Sequence, residues 1–174
     1  MTTTRDDNRS VSISALMGIL FIMGVFGLVM FLPAAYAEEN FECTQCCSGT
    51  YTMFHESKEL VPLLRGEDSG IMISKSENKF LDRATLHYEW IQRGGGEKRE
   101  GYTLGKIVDP DGDIIVVGCA YKGPGHEAKF LQGTGKYKGI TGSFKATRLA
   151  TGKPVMNGTY QWCRKIKGTF ELSK

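Results

Sequence analysis

The stretch Arg83–Gln92 (RATLHYEWIQ) sets Leu86, Tyr88 and Trp90 at alternate positions with His87 and Glu89 between them. A period of two is the mark of a β-strand with one dry and one wet face. Beyond Cys47 most of the chain reads this way. Runs at Gly49–Ser57, Ser69–Ser76, Gly101–Val108, Asp113–Tyr121, Glu127–Gln132, Gly142–Ala150 and Gly158–Leu172 are separated by Gly, Pro and Asp turns. The one candidate helical turn, near Leu60–Leu64, is interrupted by Pro62. About eight short strands predict an all-β domain, an antiparallel barrel or sandwich. Closure into an eight-stranded barrel would remove both edges. It would leave an interior packed with side chains or holding one small ligand.

Residues 1–37 stand apart from this pattern. Arg5 and Arg9 precede a charge-free run with an apolar heart, Ala15–Leu32, and the run ends in Pro33-Ala34-Ala35-Tyr36-Ala37 before Glu38. Ala35 and Ala37 occupy the small-residue positions of a signal-peptidase site, so the segment predicts a cleaved export signal. Residues 15–32 also reach the lower length for crossing a bilayer, which leaves an uncleaved anchor with the amino terminus inside as the alternative. Either reading places the remainder outside the cytoplasm. It would be periplasmic or secreted, or held at the inner membrane. The expected organisation is a leader (1–37), a cysteine-containing segment (38–48) and a barrel domain (49–174). Charge is uneven: residues 128–174 carry one acidic side chain, Glu171, against ten basic ones. Antiparallel pairing is expected to interleave that basic third with the acidic remainder, so no nucleic-acid partner is predicted.

Two motifs imitate ligand loops. Asp109-Pro110-Asp111-Gly112-Asp113 lacks the spacing of an EF-hand, since its glycine comes too early and Ala120 stands where the closing glutamate belongs. It reads as a tight hairpin in which Pro110 presets φ and Gly112 supplies positive φ. The segment Phe130–Lys145 (FLQGTGKYKGITGSFK) carries Gly133, Gly135, Gly139 and Gly142. It lacks the Gly-Lys-Ser/Thr ending of a phosphate loop, and no βαβ unit supports a dinucleotide site. Its glycines read as a sharp strand-to-strand connection. No cofactor is indicated.

The same segment, Phe130-Leu131-x-Gly-Thr-Gly-Lys-Tyr137-x-Gly139-Ile140-Thr141-Gly142, resembles the corner motif of the allene oxide cyclase-like and dirigent-like barrels. With Val108–Asp113, Gly152–Pro154, Gly158–Tyr160, Cys163 and Gly168–Leu172, it is similar to a group of small exported bacterial proteins of uncharacterised function. The resemblance covers roughly residues 82–172 and implies an eight-stranded antiparallel barrel. It brings no activity with it, because the plant proteins' catalytic residues match no positions here.

Cys43, Cys46, Cys47, Cys119 and Cys163 lie in the part expected to be exported, where disulfides persist. A bridge from the amino-terminal cluster to the barrel is expected, with a thiolate metal site or redox chemistry as alternatives. His55, His87 and His126 show no metal-binding spacing, and no metal site is assigned. His87 and Glu89 share a strand face and are candidates for a ligand cavity, though the Leu86/Tyr88/Trp90 stripe would equally put them in solvent. Tyr160 and Trp162 would line a core or floor a cavity. The functional expectation is an exported, non-catalytic, binding or envelope-associated barrel with a small hydrophobic ligand. An isomerase or cyclase working inside the barrel is the first alternative. A membrane-anchored accessory subunit, attached through residues 15–32, is the second.

Overall fold

The computed structural model describes residues 37–54, 59–123 and 127–173. The expected leader, apart from Ala37, lies outside the described residues, as do His55 and His126. Eight strands follow in chain order: β1 (Glu39–Met53), β2 (Leu63–Ser74), β3 (Thr85–Arg93), β4 (Glu100–Val108), β5 (Ile114–Lys122), β6 (Glu127–Gly133), β7 (Thr141–Gly152) and β8 (Thr159–Glu171). Each pairs antiparallel with the next, and β8 returns to β1, so the sheet closes into a barrel.

Alternation sets the inside and the outside. In β1, Phe41, Cys43, Gln45 and Cys47 are buried, while Glu42, Thr44 and Cys46 between them face outward. The cysteine-containing segment is therefore the first half of a barrel strand and not a separate amino-terminal piece. Its interior positions are held by cysteine and glutamine, which hide the period. The helical turn expected near Leu60–Leu64 is absent as well. Leu63 and Leu64 open β2 opposite Arg93 and Gln92, and the Pro62 carbonyl accepts from Gly94 N at 2.8 Å. A proline can supply that acceptor but not the next helical N–H.

One end of the barrel is plugged by aromatic rings. Phe41 lies 4.9 Å from Phe80 and 6.1 Å from Phe170, centroid to centroid. Phe80 stacks on Phe170 at 3.8 Å. Removing one such ring costs about 3–5 kcal/mol. Phe80 comes from the β2–β3 connection, residues 75–84, which folds across this end with Leu81 and Ala84 buried. The connection turns through Lys79, Leu81 and Arg83, all at positive φ (53°, 59° and 58°).

Phe130–Lys145 runs along the same end. Gly135–Tyr137 forms a 3₁₀ turn and β7 starts at Thr141. Gly139 and Gly142 sit at φ 75° and 122°, a region that disfavours a side chain. The turn is tied to Asp109–Asp113. The buried Asp109 carboxylate accepts from Asp111 N and Asp113 N, both at 2.9 Å, and from the Tyr137 hydroxyl at 3.2 Å. Lys136 closes the knot against Asp109 and, at 2.6 Å, Asp111. Burial raises the Asp109 pKa, but Lys136, the Asp113 amide and Tyr137 outweigh it and hold the carboxyl below its ordinary value.

Outside the barrel part of the basic third meets an acidic partner. Glu42 on β1 binds Lys165 and Lys167 of β8 at 2.8 and 3.0 Å. Across the same seam Cys46 faces Cys163, and the two form a disulfide with Cα atoms 4.1 Å apart. This is the link expected between the amino-terminal cysteines and the barrel. Cys43, Cys47 and Cys119 are free and buried, and among the described residues no cluster of metal-ligating side chains is present.

Candidate functional site

The end opposite the aromatic plug is open. There the interior widens into a cavity of about 450 Å³, within the size range of small-molecule sites. Its walls carry Tyr51, Trp90, Tyr121, Tyr160 and Trp162, with Arg148 and Arg164 on one side and Asp68 on another. Each is an inward position of its strand: Asp68 on β2 faces Tyr88 across the ladder, and Arg148 on β7 faces Arg164 on β8.

Glycines make room for these rings. A Cβ on Gly66 or Gly105 would collide with the ring of Trp90 or Tyr88 respectively. Inward glycines of β2 and β4 thus let large rings from β3 lie flat against the wall. In sequence they resemble ordinary strand breakers, although each falls on the inward face of its run.

Asp68 is the chemical centre of the cavity. It is 6% exposed, and its carboxylate is hydrogen-bonded by the Tyr160 hydroxyl. That hydroxyl accepts from Trp90 Nε1 at 2.9 Å and lies 3.2 Å from the Glu67 carbonyl. Burial dominates and pushes the Asp68 carboxyl up to about 6, against the pull of Trp90, Arg164 and His87. The network accommodates either state. When Asp68 is ionised, Tyr160 donates to it. When Asp68 is protonated, it donates to Tyr160, whose own proton turns to the Glu67 carbonyl. Neither state leaves a buried donor unpaired.

Arg164 lies with its guanidinium carbon 3.9 Å from the centre of the Trp162 ring. Burial lowers its pKa, Asp68 opposes that, and the like charge of Arg148 adds to it. Burial also pushes the Cys47 thiol up to about 12 and the Cys43 thiol up to about 11, and it raises Cys119 on the cavity wall. These thiols are poor nucleophiles as they stand.

The structure divides the residues singled out from sequence. Tyr160 and Trp162 line the cavity. His87 and Glu89 do not: they point outward from β3, with His87 Nδ1 3.0 Å from Ser69 Oγ and Nε2 4.0 Å from Glu67. Alternation on β3 leaves no choice, since Tyr88 and Trp90 take the interior. Asp109, Asp111, Gly112, Asp113, Gly133, Gly135, Gly139 and Gly142 all belong to the plugged end, away from the cavity. Asp68, Arg148 and Arg164 were not singled out. Asp68 sits in a Gly-Glu-Asp-Ser-Gly run that reads as a turn. A period-of-two count through β2 would have placed Asp68 in register with Leu64 and Met72.

No family model matches the sequence, and no curated protein matches it. Among solved structures, the pterocarpan synthase dirigent protein GePTS1 superposes with a TM-score of 0.50, covering 79% of this chain and 93% of that one at 10% identity. The fold is dirigent-like. A second pterocarpan synthase dirigent protein, PsPTS1, gives a TM-score of 0.47 over 83% of this chain and 99% of that one, also at 10% identity. At 10% identity the GePTS1 superposition shows a shared fold and not a shared chemistry.

Proposed function

We propose that this chain is an exported barrel that binds one small, largely apolar, ring-bearing molecule in the open half of its interior. The observation that carries the reading is the asymmetry of that interior. One end is filled by stacked phenylalanines, while the other holds an aromatic-walled cavity of about 450 Å³. A barrel built only for stability would pack both ends. Both tryptophans of the chain, Trp90 and Trp162, line the cavity, so intrinsic fluorescence reports on its occupancy. Titration with the neutral probe N-phenylnaphthylamine is expected to quench that fluorescence saturably. Ala146→Trp, which fills the cavity from β7, is expected to abolish the effect. Unsaturable quenching, or quenching unchanged in Ala146→Trp, would remove this reading.

A second reading, an isomerase or cyclase, draws on Asp68. A carboxyl that titrates near 6 beside a tyrosine can give and take protons near neutral pH. Its test is solvent-deuterium incorporation into a molecule that co-purifies with the protein. Incorporation that disappears in Asp68→Asn would support it, and none in the parent chain would leave binding alone.

Export is supported by the leader pattern and by the Cys46–Cys163 disulfide, which suits an oxidising compartment. Among the described residues no helix is long and apolar enough to cross a membrane. Intact mass separates the two outcomes: a chain starting at Glu38 means a cleaved signal, and the full mass means an anchor through residues 15–32.

A further inference from the structure

We infer that the molecule this cavity accepts is an amphiphilic anion, a flat apolar body bearing one carboxylate or sulfonate that docks between Arg164 and Arg148. The inference rests on the ligand-binding reading above and adds the charge of the ligand.

Arg148 and Arg164 are directly opposed residues of β7 and β8, and both line the cavity. Like charges facing each other across a ladder destabilise a sheet. Some basic residues elsewhere on this barrel are paired with a carboxylate, as Lys165 and Lys167 are with Glu42. Among the described residues no carboxylate lies within ion-pairing distance of either arginine. The carboxylate lining the cavity, Asp68, is hydrogen-bonded by Tyr160 and acts on Arg164 through space without forming an ion pair with it. Arg99, a third arginine on the wall, donates from Nε to the Gly123 carbonyl at 3.0 Å and is not part of the pair.

The posture of Arg164 adds the geometry. Its guanidinium lies over the Trp162 ring, which occupies a face and leaves the N–H edge available. That edge is the part of arginine that grips a carboxylate or sulfonate through two parallel hydrogen bonds. The indole beneath is an apolar surface on which the body of the same molecule can lie, with Tyr160 the next inward residue of the same strand and Trp90 also on the cavity wall. A cation pair beside an aromatic wall fits an anion with rings attached. It does not fit an inorganic anion, which could not use the wall.

The test compares two probes with the same ring system. Anilinonaphthalene sulfonate carries the anion, and N-phenylnaphthylamine lacks it. Binding to the exported chain is read by quenching of Trp90 and Trp162, because probe emission alone also rises on loosely packed chains. The sulfonate is expected to bind about tenfold or more tightly than the neutral probe, the scale of a charge-assisted contact. Arg164→Met is expected to remove that preference by weakening the sulfonate several-fold more than the neutral probe, and Arg164→Lys to restore part of it. Arg148→Met, at an exposed position, is a second variant that leaves the core untouched and is expected to lose several-fold for the sulfonate alone. Equal affinities for the two probes, or a preference that survives both methionine variants, would overturn the inference and leave ligand binding standing. Failure of both probes to quench would instead overturn the ligand-binding reading, and this inference with it.

Discussion

Asp68 makes a stability prediction whose sign follows from its burial. Its folded pKa, about 6, lies above the ordinary 3.8, so between those values the folded chain holds more protons than the unfolded one. Stability contributed by this group is therefore greatest below pH 4 and is lost as pH rises through 6. The full penalty at neutral pH is about 3 kcal/mol at most, the free-energy equivalent of moving a carboxyl between those two values. Asp68→Asn keeps the shape and an acceptor for Tyr160 but cannot ionise. Its urea midpoint is expected to exceed that of the parent at pH 7.5 and to approach it at pH 4. A parent chain whose stability relative to Asp68→Asn does not change between those pH values would show that the carboxyl is not desolvated. Asp109 behaves oppositely, since its lowered pKa gives stability above the ordinary carboxylate value that is lost on acidification.

At the scale of elements, the two connections at the plugged end differ in how they are held. The Asp109–Asp113 turn depends on a single buried carboxylate serving two amides, a tyrosine and a lysine. Asp109→Ala strips all four of an acceptor and is expected to cost about 3 kcal/mol or more, measured by urea unfolding. A loss below about 1 kcal/mol would mean water replaces the carboxylate without penalty. The β2–β3 connection is held by burial of Phe80 and Leu81 against left-handed backbone at three non-glycine residues. Arg83 is exposed, with φ 58° and only a 4.0 Å contact to Asp82. Arg83→Gly relieves the backbone and is expected to raise stability by roughly 0.5–1 kcal/mol. Unchanged or reduced stability would indicate that the turn is not strained. The two connections are not equally readable in the sequence. The turn residues Pro110 and Gly112 announce themselves, and the alternation of β3 is plain because its interior residues are Leu86, Tyr88 and Trp90. The first half of β1 escapes notice because cysteine and glutamine stand at its interior positions. The connection that caps the barrel does so because Phe80 and Leu81 sit alone between Asn78 and Asp82. The cavity residues are harder still: Asp68 and the two arginines come to line one cavity only when the barrel closes and sets β1 between β2 and β8.

For the whole molecule the question is what holds the seam where the first and last strands meet. β1 and β8 pair from Glu39–Phe170 to Thr50–Thr159, and this ladder brings together segments that are remote in sequence. Such contacts are slow to form and costly in loop entropy. The Cys46–Cys163 bridge spans a sequence separation of 117 residues, so it removes much of that cost from the unfolded chain. Loop-entropy arguments put the gain for a loop of this size at about 4–5 kcal/mol, with native-state effects commonly reducing it. A Cys46→Ala, Cys163→Ala double variant is expected to keep the barrel and bind N-phenylnaphthylamine as before, because the bridge faces away from the cavity. Its urea midpoint is expected to fall by an amount worth about 2–5 kcal/mol, and its refolding to slow as the seam must now find itself. A double variant with unchanged midpoint and refolding rate would show that the ladder and the Glu42 clamp on Lys165 and Lys167 close the barrel unaided. A variant that unfolds normally but no longer quenches with the probe would place the bridge in the service of the cavity, contrary to its outward position on both strands.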